Sequence, residues 1–281
     1  VVGSILRPAS YCGAYGYKPS LGGMNRGGSH DYMSQSVQGV IAASLDDCWQ
    51  VAIEIVQRAG GDPGHAGIIG PPMPPEADMP TTLAFLKTPG WEVASADARE
   101  ALETALTRLS EAGIAIMSAE DDADVARIEK LLPESLSLTR RINAWESRWP
   151  LNTYVDKDKS KLSSGMVERL HEAQAMSVDD YRQDIVRREE IRAAYASLAN
   201  KAECCITLSA PDVAPVGLDS TGNPIFVVQG SLLGVPTLSL PLITLHGLPL
   251  GIQMLGFLDE DAALFAHAAA VEPAIGPIEI A

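Results

Sequence analysis

The chain has 281 residues, 46% of them hydrophobic and 20% charged, which is enough apolar material for one large core or two ordinary ones and argues against disorder. With 21 Lys+Arg against 36 Asp+Glu the formal charge is −15, and an acidic surface repels phosphate backbones. Nucleic acid is therefore excluded as a main ligand, all the more because the densest charged stretch, Arg182 to Arg192, mixes both signs.

In chain order, the first clear element is a helix. Ser44 and Asp47 stand at capping-box spacing, and Leu45, Cys48, Trp49, Ala52, Ile55, Val56 and Ala59 follow at helical period. Gly60-Gly61 ends it, and Asp62-Pro63-Gly64 makes a turn. A proline-rich connector from Pro71 to Pro80 leads to an apolar stretch at Leu83 to Leu86. Leu102, Ala105, Leu106, Leu109 and Ala112 then mark one face of a second helix, stopped by Gly113, with a strand expected at Ile114 to Met117. Between about 120 and 203 the chain becomes charged, glycine-poor and helical in period, an excursion expected at the periphery of a sheet. Strands are expected again at Cys204 to Leu208, Ile225 to Val228, Val235 to Leu240 and Leu250 to Leu255. A closing helix runs from Asp261 to Val271, with acidic residues near its N-terminus where the helix dipole favours them. Strand–helix alternation of this kind predicts an α/β fold.

No charged residue occurs from Ser220 to Leu258, but Pro224, Pro236, Pro241 and Pro249 divide that run into pieces too short for a membrane span. The expectation is a protein with no membrane partner. No signal peptide is visible. Cys12, Cys48, Cys204 and Cys205 form no C-x-x-C pair, as expected for buried thiols in a reducing, cytoplasmic compartment. The five histidines are scattered, so neither metal nor cofactor is expected.

The chemistry is concentrated in the first twenty residues. Gly3 permits close backbone approach, Ser4 offers a hydroxyl at a turn, and the N–H groups of Val1, Val2, Gly3 and Ser4 can converge as an oxyanion hole. Gly3-Ser4-Ile5-Leu6-Arg7-Pro8-Ala9 is followed by Cys12-Gly13-Ala14-Tyr15-Gly16-Tyr17-Lys18-Pro19. Far downstream come Thr221-Gly222-Asn223-Pro224, Leu233-Gly234-Val235-Pro236 and Gly247-Leu248-Pro249-Leu250-Gly251-Ile252-Gln253. Together with the Ser44-Leu45-Asp46-Asp47 helix start, these strings resemble, in order and spacing, the amidase signature family.

That resemblance implies an α/β/α fold around a mixed sheet, incomplete here at the N-terminus. Residues 1–281 would form a single domain that corresponds to the family's C-terminal portion. It also implies a Ser-Ser-Lys amide hydrolase acting on linear amides rather than peptide bonds, through an acyl-enzyme. Ser4 would be the nucleophile and the backbone of Val1, Val2 and Gly3 the oxyanion hole. The family's catalytic lysine and bridging serine lie upstream of the nucleophile, and this sequence contains neither, so the isolated chain is expected to be inactive. Lys18 reads as a structural feature of the Y-K-P string. Lys157, Lys159 and Lys161 fall in a solvated charged stretch, where lysine stays protonated at neutral pH.

Arg7, three residues beyond Ser4, has the planar fork to bind a substrate carboxylate, which would favour a small acidic amide. Gln253, Tyr11, Tyr15 and Tyr17 read as packing residues, while Trp145 and Trp149 line a pocket or simply pack. The expected partner is a small-molecule amide, with homodimer formation left open. Two other readings remain: a protein like the A-type component of a tRNA-dependent amidotransferase, working in a complex, and a non-catalytic remnant of the scaffold, which the Val2 in place of the family's usual glycine favours.

Overall fold

The computed structural model describes residues 3–27 and 33–281. Helix α1 (Leu6–Tyr11) is followed by strands β1 (Tyr15–Lys18) and β2 (Val40–Ala42), helix α2 (Leu45–Ala59) and strand β3 (Thr82–Phe85). Helix α3 (Ala96–Glu111) and strand β4 (Ala115–Met117) precede four consecutive helices: α4 (Ala123–Leu131), α5 (Ser135–Asp158), α6 (Ser164–Ala175) and α7 (Val178–Ala196). The chain returns through β5 (Cys204–Leu208), α8 (Val228–Leu233), β6 (Thr237–Leu245), β7 (Leu248–Leu255), α9 (Asp261–Ile275) and β8 (Ile278–Ile280).

The strands form one mixed sheet in the order β2-β1-β6-β7-β5-β3-β4, with β8 added beside β6. β3 pairs parallel with both β4 and β5, whereas β5, β7, β6, β1 and β2 pair antiparallel in succession. Alternation along single strands divides the core in two. Leu83, Phe85, Cys204, Ile206 and Leu208 pack with α2, α3 and α9 on one face. Ala84, Leu86 and Cys205 pack with α4, α5, α7 and α8 on the other. All five β5 residues are buried, as expected for a central strand covered by helices on both faces, where period-2 alternation sends successive side chains into opposite apolar layers. The architecture is α/β/α.

Capping chemistry sets the helix boundaries. The Ser44 hydroxyl accepts from the Asp47 amide at 3.0 Å, and Gly60 ends α2 at φ 71°. At Ser177 both halves of a capping box are made with Asp180. The helical excursion expected at about 120–203 is observed as α4 to α7 and is tied together by ion pairs. Arg141 meets Asp184, Arg187 meets Glu134, and Lys201 meets both Asp122 and Asp124. Lys157 lies in the last turn of α5, and Lys159 and Lys161 in a following 3-10 turn; all three are exposed.

The strand expected at Ile225 to Val228 is instead a turn leading into α8. The Val227 and Val228 amides both bond the Pro224 carbonyl, and the Gln229 side chain reaches back to the Ile225 carbonyl. These local bonds outweigh β-branched propensity. The structure also contains β1, β2 and β8, which periodicity did not reveal because they are only three or four residues long.

Trp49 anchors the α2 face. It is fully buried, its indole N–H donates to the Pro71 carbonyl at 3.0 Å, and its ring stands edge-on to Phe265 at 5.0 Å between centroids. Trp49→Ala removes this packing and leaves a cavity. It is expected to cost about 3–5 kcal/mol, read as a lowered urea midpoint at unchanged slope.

Candidate active site

The serine-bearing turn is seated from both sides. Gly3 has φ 69°, a left-handed conformation natural to glycine, and a Cβ there would come 2.3 Å from the Val227 Cγ2 atom. Behind the turn, α1 lies on the central antiparallel pair of strands. The Ser10 hydroxyl accepts from the Gly251 amide of β7 at 2.7 Å. At Gly251 an added Cβ would meet the hydroxyls of Ser239 and Ser209 and come 3.2 Å from the Ser10 Cβ of α1, so the absence of a side chain lets the helix approach the sheet. Ser4 thereby stands exposed at the start of α1. Val1 and Val2, named with Gly3 as oxyanion-hole donors, lie outside the described residues.

The near and far sequence motifs meet here. Arg7 Nη2 donates to the Thr221 hydroxyl at 3.1 Å, and Pro224 and Val227 border Gly3. Gln253 secures the same loop by donating to the Phe226 carbonyl at 2.9 Å, so its role is structural, as its sequence context suggested. Tyr17 likewise packs in the core, edge-on to Phe265, with its hydroxyl on Asp261. Trp145 stacks on Tyr181 at 5.5 Å under the Arg148 guanidinium, while Trp149 is exposed.

Two cavities open beside this turn. The smaller, of about 70 Å³, is lined by Gly3, Ser4, Lys18, Gln35, Ser36 and Ser231, among others. Lys18 is thus brought to the same cavity as Ser4, a placement that sequence reasoning missed. The sequence carried no signal for it, because the four residues of β1 are too few to show a period and burial there comes from the neighbouring elements. Lys18 is buried, and its amine donates to the Pro19 carbonyl at 2.7 Å. Loss of hydration pulls its pKa down to about 7, Arg192 adds to that effect, and Asp261 opposes it. Gln35 is buried too, with its Oε1 atom unpartnered among the described residues.

The larger cavity, of about 580 Å³, is lined by Arg7, Arg140, Asn143, Glu168, Arg169 and Glu172 as well as the Thr221–Gly222 loop. Arg7 is buried, and desolvation lowers its pKa from the usual arginine value. Asn143 accepts from Gln35 Nε2 at 3.2 Å, so this pair is a wall shared by the two cavities. The helical excursion holds that wall. Glu146 of α5 accepts from the Ser34 amide and hydroxyl and from the Tyr181 hydroxyl, and Arg188 of α7 donates to the same Ser34 hydroxyl at 2.6 Å. Among the described residues no three His, Cys, Asp or Glu side chains gather at metal-binding distance, and no helix is long and apolar enough to cross a membrane.

A family model described as Amidase matches residues 1–265. The chain belongs to the amidase signature family. It is 26% identical over 314 residues to the A-type component of the glutamyl-tRNA(Gln) amidotransferase of Methylorubrum extorquens, covering 99% of this chain and 62% of that protein. It is 28% identical over 302 residues to a fatty acid amide hydrolase of Medicago truncatula, covering 98% of this chain and 48% of the relative. A solved amidase structure shares the fold with a TM-score of 0.80 at 22% identity, over 98% of this chain and 61% of that one. The chain therefore spans less than two thirds of the length of these proteins.

The Gly3 seat yields a double-mutant test. Gly3→Ala introduces both the strained φ and the clash with Val227, and is expected to lower stability by about 1–3 kcal/mol. Adding Val227→Ala removes the clash but not the strain, so the pair should lose less than the sum of the single changes in thermal or urea unfolding.

Proposed function

We propose that the chain is an amide hydrolase of the acyl-enzyme type in which Ser4 attacks the carbonyl of a linear amide bearing a carboxylate. The observation that carries this reading is the position of Ser4: an exposed hydroxyl on a fixed turn, lining a small polar cavity. In the first step the Ser4 Oγ–H proton passes to the lysine base that the family resemblance implies as Oγ bonds to the carbonyl carbon, and the carbonyl π electrons move onto oxygen. Backbone N–H groups of the Gly3–Ser4 turn, with those of Val1 and Val2, receive the oxyanion. The C–N bond then breaks as that base returns the proton to nitrogen, and water then adds to the acyl carbon, releasing the acid and restoring the Ser4 hydroxyl. Residues 1–281 are read as a single amidase-signature domain.

Arg7 supports the acidic-substrate reading. Its guanidinium is fixed on one side by Thr221, and the cavity it lines also contains Arg140 and Arg169 alongside Glu168 and Glu172. Arg7→Ala should weaken binding of a small dicarboxylic monoamide by about 10- to 100-fold, the usual effect of losing hydrogen bonds to a charged group, while a neutral amide of the same length is unaffected. Calorimetric titration of each ligand reads this without turnover. For Ser4, a fluorophosphonate probe should modify the chain once, at that residue, and Ser4→Ala should abolish labelling. A wild-type chain that stays unlabelled would instead support a non-catalytic scaffold.

A second reading is favoured by the curated relatives, several of which are A-type components of glutamyl-tRNA(Gln) amidotransferases. In that case the chain would work in a complex. Stoichiometric co-purification with partner proteins would select it over the free-standing amidase.

A further inference from the structure

Residues 150–176, the second half of α5 together with α6, are joined to the molecule differently from the helices around them. The first half of α5 is tied down at several points: Asn143 to Gln35, Glu146 to Ser34 and Tyr181, and Trp145 against the Tyr181 ring. Helix α7 is held as firmly, through Arg188 to Ser34 and Arg187 to Glu134. Beyond Trp149 these ties stop. Among the described residues, no side chain of 150–176 makes a hydrogen bond or ion pair outside that segment. The bonds it makes, such as Gln174 Nε2 to Asn152 Oδ1 at 3.4 Å, are internal. Its buried apolar residues, Leu151, Leu170 and Ala173, belong to neither of the two cores, and α6 instead packs back along α5. A unit so weakly joined to its surroundings moves at little cost in free energy.

Both ends of the unit have the chemistry of a hinge. Pro150 stands inside α5, where it has no amide to donate to the Glu146 carbonyl one turn earlier. The Thr153 hydroxyl donates back to the Pro150 carbonyl at 2.7 Å, a bond of the kind that bends helices. At the far end Met176 is extended, with ψ 142°, and the Ser177–Asp180 capping box starts α7 afresh. The chain can turn at 150 and at 176, with intact helices on either side.

The unit also forms one wall of the Arg7 recess. Gly165, Glu168, Arg169 and Glu172 of α6 line it together with Arg7, which Thr221 holds in place. A small dicarboxylic monoamide fills only part of the recess of about 580 Å³. We propose that residues 151–175 are a hinged lid on this recess, and that Arg169 closes with it onto the carboxylate that Arg7 receives. The inference rests on the reading of the recess as a carboxylate site. It gives that site a moving half beside a fixed one, and makes Arg169 a specificity residue. A ligand drives closure only through contacts that it makes better in the closed state. Arg169 provides such a contact, whereas Arg7 is in place in both states. Glu168 and Glu172 travel on the same helix and draw the empty lid toward Arg7 and Arg140, so the closed position is populated before ligand arrives.

The experiment measures the distance between nitroxide labels at His171→Cys of α6 and Glu103→Cys of α3 by double electron–electron resonance. Both positions are exposed, and the host chain carries Cys12→Ser, which removes an exposed native thiol, and Ser4→Ala, which prevents turnover. The ligand is succinic acid monoamide, with its binding followed in parallel by calorimetry. A second label pair, Ser137→Cys with Glu103→Cys, reports on the tied half of α5. In the chain without ligand the His171 pair should give a broad distribution and the Ser137 pair a narrow one. Saturating monoamide should narrow the first to a single population already present without it. Pro150→Ala, which restores the missing amide, should narrow the distribution without ligand. Arg169→Ala should leave it broad, weaken monoamide binding by about 10- to 100-fold and abolish the narrowing. A ligand-free His171 distribution as narrow as that of Ser137 overturns the lid whatever the variants do. A broad distribution that bound monoamide leaves unchanged also overturns it, while keeping Arg7 as the carboxylate partner. A chain that shows no monoamide binding overturns the carboxylate reading of the recess and this inference with it.

Discussion

The organising constraint is the seating of one tight turn on residues that follow it by more than two hundred positions. Gly3 takes a positive φ against Val227, Arg7 reaches Thr221, and the Ser10 hydroxyl holds the Gly251 amide. The first two contacts need the loop of residues 220–227, which Gln253 of β7 holds at the Phe226 carbonyl, and the third needs β7 itself. The exposure of Ser4 and the burial of Lys18 both follow from this arrangement. The turn projects its hydroxyl outward, while Lys18, at the end of β1, which pairs between β2 and β6, is buried.

The helical excursion has a positioning role that its surface character hides. Its ion pairs join helix to helix, but Glu146, Arg188 and Asn143 reach across to residues 34 and 35 and fix the wall of the small cavity. Arg140 and Arg169 come from the same excursion, as do Glu168 and Glu172, and they line the recess beside Arg7 with charges of both signs. Variation in this part of the chain would therefore change what the recess accepts while leaving the serine turn on its seat.

Much of the fold was legible in the sequence, for identifiable reasons. Long periodic helices, glycine stops and the buried run at 204–208 leave unambiguous patterns, and the fragments around Ser4, Thr221 and Gly251 carry the family resemblance. The three- and four-residue strands left none, since a period cannot be read from so few residues. Ile225 to Val228 was misread because β-branched composition suggests a strand, whereas the Pro224 carbonyl captures the following amides in a turn. In the site, Ser4 and Arg7 were legible as residue types in a motif. The place of Lys18 was not, because burial of a lysine depends on which strand covers it and that is a property of topology. Gln35 carried no signal at all; it reaches the cavity wall through partners on a helix about a hundred residues later.

The same long-range seat has a consequence for biosynthesis. Chains made from N- to C-terminus fold as segments emerge, and contacts distant in sequence form late. The residues that seat the serine turn include Thr221, Val227 and Gly251, so when α1 leaves the ribosome nothing exists for it to settle on. The β3–β4 pair and the α4–α7 helices are assembled from neighbouring segments and can be complete much earlier. The serine turn is thus among the last parts to find its place, and a chain halted before β7 keeps most of its helices but leaves that turn without its seat.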